Sequence, residues 1–465
     1  MSEKRRLQAS IEHVHGSGEI AYGKEELVVV CLVRDGRPYV KAFIEHYRSL
    51  GARHIAFLDN GSTDGTVEAL KGYEDVTVLR TSLPYKLEDA PVEDDPVGNG
   101  WTREIPFKQY LYARFGGRDR WCLCADIDEL FDYPYSDVVG LDSFLAYLNE
   151  GRYTAVAAQM IDMFPAEPLS GKTAGVEEPL KQLHRFCDLS NVDRSGMKGT
   201  KVGTKALRSR NTTVASEELE FFGGGIRNTV FGTKPHLTKF PLVFLDGKSK
   251  PLDHSAHRVG NATVADITCA LFHYKFVDAH FQRQIAQAVS EEHRMMGSAK
   301  YKVYQRVMAE SQNLQLKRKN ATEVTGVNDL LDHAVLVVSD EYVNWVNSDE
   351  KRAVAERNDG ETEGMIDAYL EARRREREKT LRVQRLDRRL RDALKQQSRK
   401  NGKLQNTRES QGRSRELAQR NRALEMRVED LQKQVEGLRN SRTWRVLNVL
   451  HQAWLRASKL VGRGS

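Results

Sequence analysis

No stretch of this 465-residue chain reaches the run of about 18 apolar residues that a membrane span requires. The opening residues, MSEKRRLQASIEH, hold no apolar core of a secretory signal. Cysteine is scarce and odd in number: Cys31, Cys122, Cys124, Cys187 and Cys269. That excludes a disulfide framework, and Cys122-Leu-Cys124 lacks the second pair that would complete a zinc site. Cys31, Cys122 and Cys124 lie in apolar runs and read as buried free thiols, which suits a reducing compartment. Glycine and proline almost vanish after about Asp367, which points to helix there. No Phe, Tyr or Trp occurs between Glu371 and Arg439, so this Arg-rich stretch lacks the stacking platform of a single-strand nucleic-acid binder.

What the chain does hold is length and charge. Its length implies two or three units. Forty per cent apolar residues suffice for a core, but 29% charged residues imply that part of the chain is solvated helix or loose. Residues 371–465 carry 27 Lys+Arg and 11 Asp+Glu, a balance of +16. The remainder carries 45 basic and 54 acidic residues, a balance of -9. An acidic body with a basic tail should seek an anionic surface through that tail.

Residues 1–25 are polar and unpatterned and read as a flexible leader. Leu27–Val33 (LVVVCLV) is the continuous β-branched run of a strand buried on both faces. Val40, Phe43, Ile44 and Tyr47 make one helical face, stopped by Gly51. Strands are expected at 54–59, 76–79, 121–125, 154–161, 242–245 and 267–276, and helices at 104–115 and 279–295. Residues 84–102 read as a long loop and 165–235 as loops on the acceptor side. Strand and helix alternate, so the expected fold is α/β, Rossmann-like, with a mainly parallel sheet. Ligands of such sheets bind outside the strand carboxyl ends. Two acidic turns fall there: Asp59-Asn-Gly-Ser-Thr-Asp64-Gly-Thr66, and Asp126-Ile127-Asp128-Glu129.

Asp126-x-Asp128 after a buried strand suits a divalent cation, because carboxylates are hard ligands and such an ion offsets charge on a leaving diphosphate. The Asp59 turn suits a nucleoside, whose base N–H or ribose hydroxyl a carboxylate can accept. The stretch LVVVCLVRDGRPYVKAFIEHYRSLGARHIAFLDNGSTDGT, followed by CADIDEL, resembles the family 2 glycosyltransferases of the GT-A fold over roughly residues 27–295. GGGIRNTVFG, LTKFPLV, SAHRV and ALFHYKF follow in an order also similar to that branch. The resemblance implies that Asp59 contacts the base, Asp126 the ribose or metal, and Asp128 the metal. It places Arg34 near the nucleotide and makes His273 a third metal ligand, with His257 a weaker one. Arg227, Lys239 and Lys275 could clamp the leaving diphosphate. Lys108 reads as a surface residue. The Glu-Asp pair that supplies a base in the broad family is missing, which leaves Asp162, Glu218 and Glu220 (with Glu217 beside them) as candidates.

Leu417, Asn421, Leu424, Val428, Leu431, Val435 and Leu438 form an a/d heptad seam, with a weaker version at Val383, Leu386, Leu390 and Ala393. Beyond it, 441–465 sets Trp444, Leu447, Leu450, Trp454 and Val461 against Arg442, Arg445, Arg456, Lys459 and Arg463, the pattern of a helix lying on an anionic membrane. Its SRTWR start resembles endings of bacterial surface-polysaccharide glycosyltransferases. The expected plan is a leader (1–25), a GT-A domain (26–300), a helical or linker extension (301–366), a coiled coil (367–440) and a basic amphipathic helix (441–465). The expected function is a Mn2+- or Mg2+-dependent, inverting transfer from a nucleotide sugar to a glycan or lipid-linked acceptor. It would be carried out by a homo-oligomer peripheral on the inner face of the plasma membrane. The alternative is an inactive GT-A-like scaffold acting through its coiled coil.

Overall fold

A computed structural model describes residues 3–85, 104–169, 179–197, 211–252, 255–290, 295–311, 313–356 and 363–406, with a few positions between 426 and 433. The chain forms two compact units, Met1–Val327 and Asn328–Ser465.

The first unit is α/β, built on a large mixed sheet. Its strands in chain order are β1 (Ile11–His15), β2 (Leu27–Val33), β3 (His54–Asp59), β4 (Val76–Thr81), β5 (Trp121–Cys124), β6 (Glu129–Asp132), β7 (Ala155–Asp162), β8 (Phe186–Asp188), β9 (Val192–Gly196), β10 (Thr213–Val214), β11 (Glu220–Gly224), β12 (Thr238–Phe244), β13 (Thr263–His273) and β14 (Ala321–Glu323). The main sheet runs β1-β4-β3-β2-β5-β12-β7-β13-β10, with β6 also paired to β13. β5, β2, β3 and β4 are mutually parallel, as are β7, β13 and β10, and β12 runs antiparallel between the two groups. The start of β12 therefore lies at the carboxyl ends of its neighbours.

The local chemistry explains most of these elements. β2 is apolar on both faces and is buried along nearly its whole length. The helix Val40–Leu50 buries Val40, Phe43, Ile44 and Tyr47 and ends at Gly51, whose φ of 98° suits glycine. The helix Glu104–Phe115 packs Phe107, Leu111, Tyr112 and Phe115 into the same cluster as Val28, Val30, Ala56 and Leu58. All five cysteines are free and buried.

Several boundaries differ from expectation. The flexible leader is in part ordered structure. A helix, Glu3–Ser10, buries Leu7 against the Phe107–Leu111 cluster, and β1 pairs antiparallel with β4. β1 is an edge strand of the sheet, with Glu12 and His13 exposed. β12 starts at Thr238, because the register shift between Lys239 and Leu242 accommodates Pro241, which has no N–H for a ladder. β13 ends at His273, where the Tyr274 N–H turns away to the Asp128 carbonyl at 2.8 Å.

In the second unit the helices Asp340–Glu356 and Glu363–Asn406 pair. Arg377 reaches Asn347 at 2.6 Å and pairs with Glu350, and Gln384 donates to the Leu336 carbonyl at 3.0 Å. Val383, Leu386 and Ala393 are buried, so the weaker heptad seam serves the interior of this chain. The heptads at 417–438 and the segment 441–465 lie outside the described residues, as do most of the expected loop at 84–102 and residues 357–362 of the expected extension. Among the described residues no helix is long and apolar enough to cross a membrane.

Truncating Leu7 tests whether the leader belongs to the fold. Leu7→Ala should lower unfolding free energy by about 2 kcal/mol, as loss of a buried leucine does. The measurement is urea unfolding followed by tryptophan fluorescence. A loose leader gives no change.

Candidate functional site

Strand register assembles the site. β7 and β13 run parallel with Asp162 opposite His273, and β6 runs antiparallel to β13 with Glu129 opposite the same His273. Residues distant in sequence thus meet at one level, at the carboxyl ends of β5, β7 and β13. The Asp126–Glu129 turn is closed by the Glu129 N–H on the Asp126 carbonyl at 2.9 Å.

One line of charge runs through this level. Asp128 Oδ2 is 3.3 Å from His273 Nε2, and His273 Nδ1 is 2.5 Å from Asp162 Oδ1. Asp162 Oδ2 in turn accepts from Arg227 Nε at 2.7 Å. Arg227 comes from the helix Ile226–Phe231, which opens on the positive-φ pair Gly224 and Gly225. Burial pushes Asp128 and Asp162 up, but their cationic partners outweigh it. His273 brings Asp128 down to about 2, and Arg227 with His273 holds Asp162 well below the usual range. Burial pulls His273 down, yet Asp128 and Asp162 together raise it above its ordinary value.

A second network holds Asp126. Its Oδ1 is 2.6 Å from Lys108 Nζ and its Oδ2 2.9 Å from Lys239 Nζ. Lys239 also donates to Glu129 Oε1 at 2.5 Å, and Lys108 to Glu104 Oε1 at 2.7 Å. Tyr85 closes the chain on Glu104 at 2.6 Å. Burial opposes the charge on Asp126, but Lys108 and Lys239 pull its carboxyl well below the usual range. Glu129 is pushed up by burial, with Lys239 acting against it. Lys108 is 2% exposed, so the surface placement expected for it is corrected. Its position one residue after Phe107 and three before Leu111, on the buried stripe of its helix, is the signal that identifies it.

The nucleoside-type turn is locked to its neighbour. Asp59 is fully buried and accepts from the N–H groups of Gly61 (3.1 Å) and Ser62 (3.2 Å) and from Arg80 Nε (3.2 Å). Asp35, at φ 52°, accepts the Thr63 N–H at 2.8 Å, while its own N–H reaches Ser62 Oγ at 2.8 Å. Gly36 and Arg37 donate to Thr66 Oγ1 (2.9 Å) and Asp64 Oδ2 (3.0 Å). Gly36 also lies against the other acidic turn: a Cβ there would stand 2.7 Å from Val33 Cγ2 and 3.0 Å from Ile127 Cγ1. Arg34 projects beside this cradle with a half-exposed side chain, its Nε 3.9 Å from Asp35 Oδ2.

The structure thus brings Asp126, Asp128, Asp162, Arg227, Lys239 and His273 together. Lys275 follows two residues after His273 and is buried among aromatic rings. His257 Nδ1 lies 2.7 Å from the Thr238 carbonyl, and burial, helped by Lys239, pushes its pKa down to about 3. Glu220 is on β11, 3.9 Å from Arg194, and Glu218 follows Ser216, whose Oγ accepts its N–H at 3.1 Å. Among the described residues no three His, Cys, Asp or Glu side chains are grouped to hold a metal by themselves. Asp128 and His273 are the pair that could share one with a ligand.

No family model matches the chain. No curated protein sequence matches it either. Among solved structures, it shows a likeness to a nucleotidyl transferase from Methanothermobacter thermautotroptrophicus, with 15% identity and a TM-score of 0.16. The match covers 31% of this chain and 63% of that one.

Lys108→Met leaves Glu104 and Asp126 without a shared buried cation. It should cost about 3 kcal/mol in urea unfolding, in the range for breaking a buried pair. Were Lys108 exposed, the loss would stay below about 1 kcal/mol.

Proposed function

We propose that this chain is a metal-dependent glycosyltransferase that moves a sugar from a nucleotide-sugar donor to a hydroxyl of a glycan or lipid-linked acceptor, with inversion. The observation that carries the reading is the Asp128–His273–Asp162–Arg227 line, set at the strand carboxyl ends beside two interlocked turns. That is where a GT-A-type sheet would receive its ligand.

In this reading the interlocked turns, with Arg34 at their rim and Asp59 and Arg80 at their base, receive the nucleoside. Asp128 and His273 would hold Mn2+ or Mg2+. The donor set fits, because Asp162 fixes the His273 ring through Nδ1 and aims Nε2 at Asp128, the usual support of a ligating histidine. Ions of this class commonly take one or two side chains plus phosphate oxygens and water. Bound there, the ion would offset the charge that grows on the leaving diphosphate. Asp126, anchored by Lys108 and Lys239, keeps a partly exposed edge for a ribose hydroxyl. Lys239, Arg227 and Lys275 supply positive charge around the diphosphate. The acceptor oxygen attacks the anomeric carbon as its bond to the diphosphate breaks, and the acceptor proton passes to a carboxylate. Both oxygens of Asp162 are engaged, so Asp162 is a positioning residue and Glu218 and Glu220 remain the candidates for the base.

The first test is a screen of nucleotide sugars for metal-dependent hydrolysis. With the donor found, Asp128→Asn should lower transfer by about 100-fold or more while the melting temperature holds. Wild-type turnover in that variant removes Asp128 from the chemistry. Asp162→Asn should raise the metal concentration for half-maximal activity by about 10- to 100-fold at saturating donor. An unchanged midpoint refutes its role in orienting His273.

The tail completes the proposal. The heptads at 417–438 make a homo-oligomer, and 441–465 attaches it to an anionic membrane surface. Removing 407–465 should leave donor hydrolysis intact, abolish pelleting with anionic vesicles and give a monomer by light scattering. Equal pelleting of both forms would count against the membrane role.

A further inference from the structure

Three cations crowd together past Asp162. Arg227 gives its Nε hydrogen to that carboxylate, but its Nη2, in a residue 4% exposed, has no hydrogen-bond partner among the described residues. Lys275 Nζ stands 5.5 Å, 5.7 Å and 6.0 Å from the ring centres of Tyr301, Phe281 and Tyr304. Lys300, from the helix Met295–Glu310, stands 5.9 Å and 5.6 Å from the rings of Tyr301 and Tyr304. The two ammonium groups therefore share two rings, and among the described residues neither makes an ion pair. Aromatic faces steady a cation without cancelling its charge. Asp162 is the carboxylate in contact with Arg227, its other oxygen taken by His273, while Asp128 acts on Lys275 and Glu129 on Arg227 from farther off. Burial, then the nearby Lys275 and Arg227, push Lys300 down to about 7. A buried surplus of cations is costly unless an anion answers it.

We propose that Arg227, Lys275 and Lys300 form a phosphoryl-binding pocket that takes a diphosphate group. Arg227 Nη2 supplies a directed donor and the two lysines supply point charges. Tyr301 and Tyr304 are themselves buried, and attraction is stronger beside such low-dielectric walls. A leaving nucleoside diphosphate and a lipid-linked diphosphate acceptor both carry this group, and only the choice between them rests on the transferase reading.

The test is calorimetric titration of the full-length protein with inorganic pyrophosphate in the presence of EDTA. Wild type should bind saturably, Lys300→Met about tenfold or more weakly, and Lys300→Arg nearly as wild type. Near pH 8, binding should also take up protons, because the anion restores the Lys300 ammonium. The groups facing it are Lys275, Arg227, Tyr301, Tyr304 and Asp162. Lys300→Met should lose that uptake. Lys275→Met gives the same affinity readout should Lys300→Met fold poorly. Absence of binding, or equal affinity in wild type and both methionine variants, overturns the pocket. Competition between pyrophosphate and nucleoside diphosphate assigns it to the donor, and simultaneous binding assigns it to the acceptor. Pyrophosphate binding that depends on Lys300, with no nucleotide sugar hydrolysed, would leave the pocket standing and defeat the transferase reading instead.

Discussion

Everything at the site depends on the register between β13 and its two neighbours. A shift of one residue would turn His273 to the opposite face of the sheet and part it from both Asp162 and Glu129. Backbone ladders therefore fix an electrostatic arrangement that side-chain attraction alone could not. Two carboxylates flank one imidazole, and the guanidinium of Arg227 closes the far end. Asp162, His273 and Arg227 are buried, so each needs its neighbour to carry charge, while Asp128 keeps a partly exposed edge. The same logic governs Asp126, which shares two ammonium groups with Glu104 and Glu129.

Much of this was legible in the sequence. A continuous β-branched run identified β2, the apolar stretch Ile55–Leu58 identified β3, and helical spacing identified the Val40–Leu50 face and its Gly51 stop. Asp128, Asp162, Arg227, Lys239 and His273 were all named from motif and strand-end position, and the sheet places them together. What stayed hidden depends on long-range pairing. A polar edge strand such as β1 carries no apolar run to announce it, and β12 begins before its proline. Lys108 looked like any helix lysine until its stripe was compared with that of Phe107 and Leu111. Lys300 lies in a segment with no motif at all, and only the packing of Tyr301 and Tyr304 brings it to Lys275. The weaker heptad at 383–393 shows the converse, since an apolar seam does not say whether its partner is another chain or the same one.

Charge is balanced at Asp126 and unbalanced at Arg227. Around Asp126 and Glu129, carboxylates and lysines alternate in contact. Around Tyr304, among the described residues, cations outnumber anions. The two networks are joined through Glu129, which faces His273 across the β6–β13 pair while bonding to Lys239. An anion arriving on the cationic side would therefore meet a field already graded along the sheet end.

The contact of Gly36 with Ile127 carries a mechanical consequence. The loop after β2 is meshed on one side with the Asp59–Thr66 turn and on the other with the turn that presents Asp126 and Asp128. Three loops, those after β2, β3 and β5, are thus geared together, and at Gly36 there is no room for even one methyl group. Such a gear train cannot open one tooth at a time. This wall of the site is set when the chain folds, and a ligand entering it meets a finished template instead of a loop that must wrap.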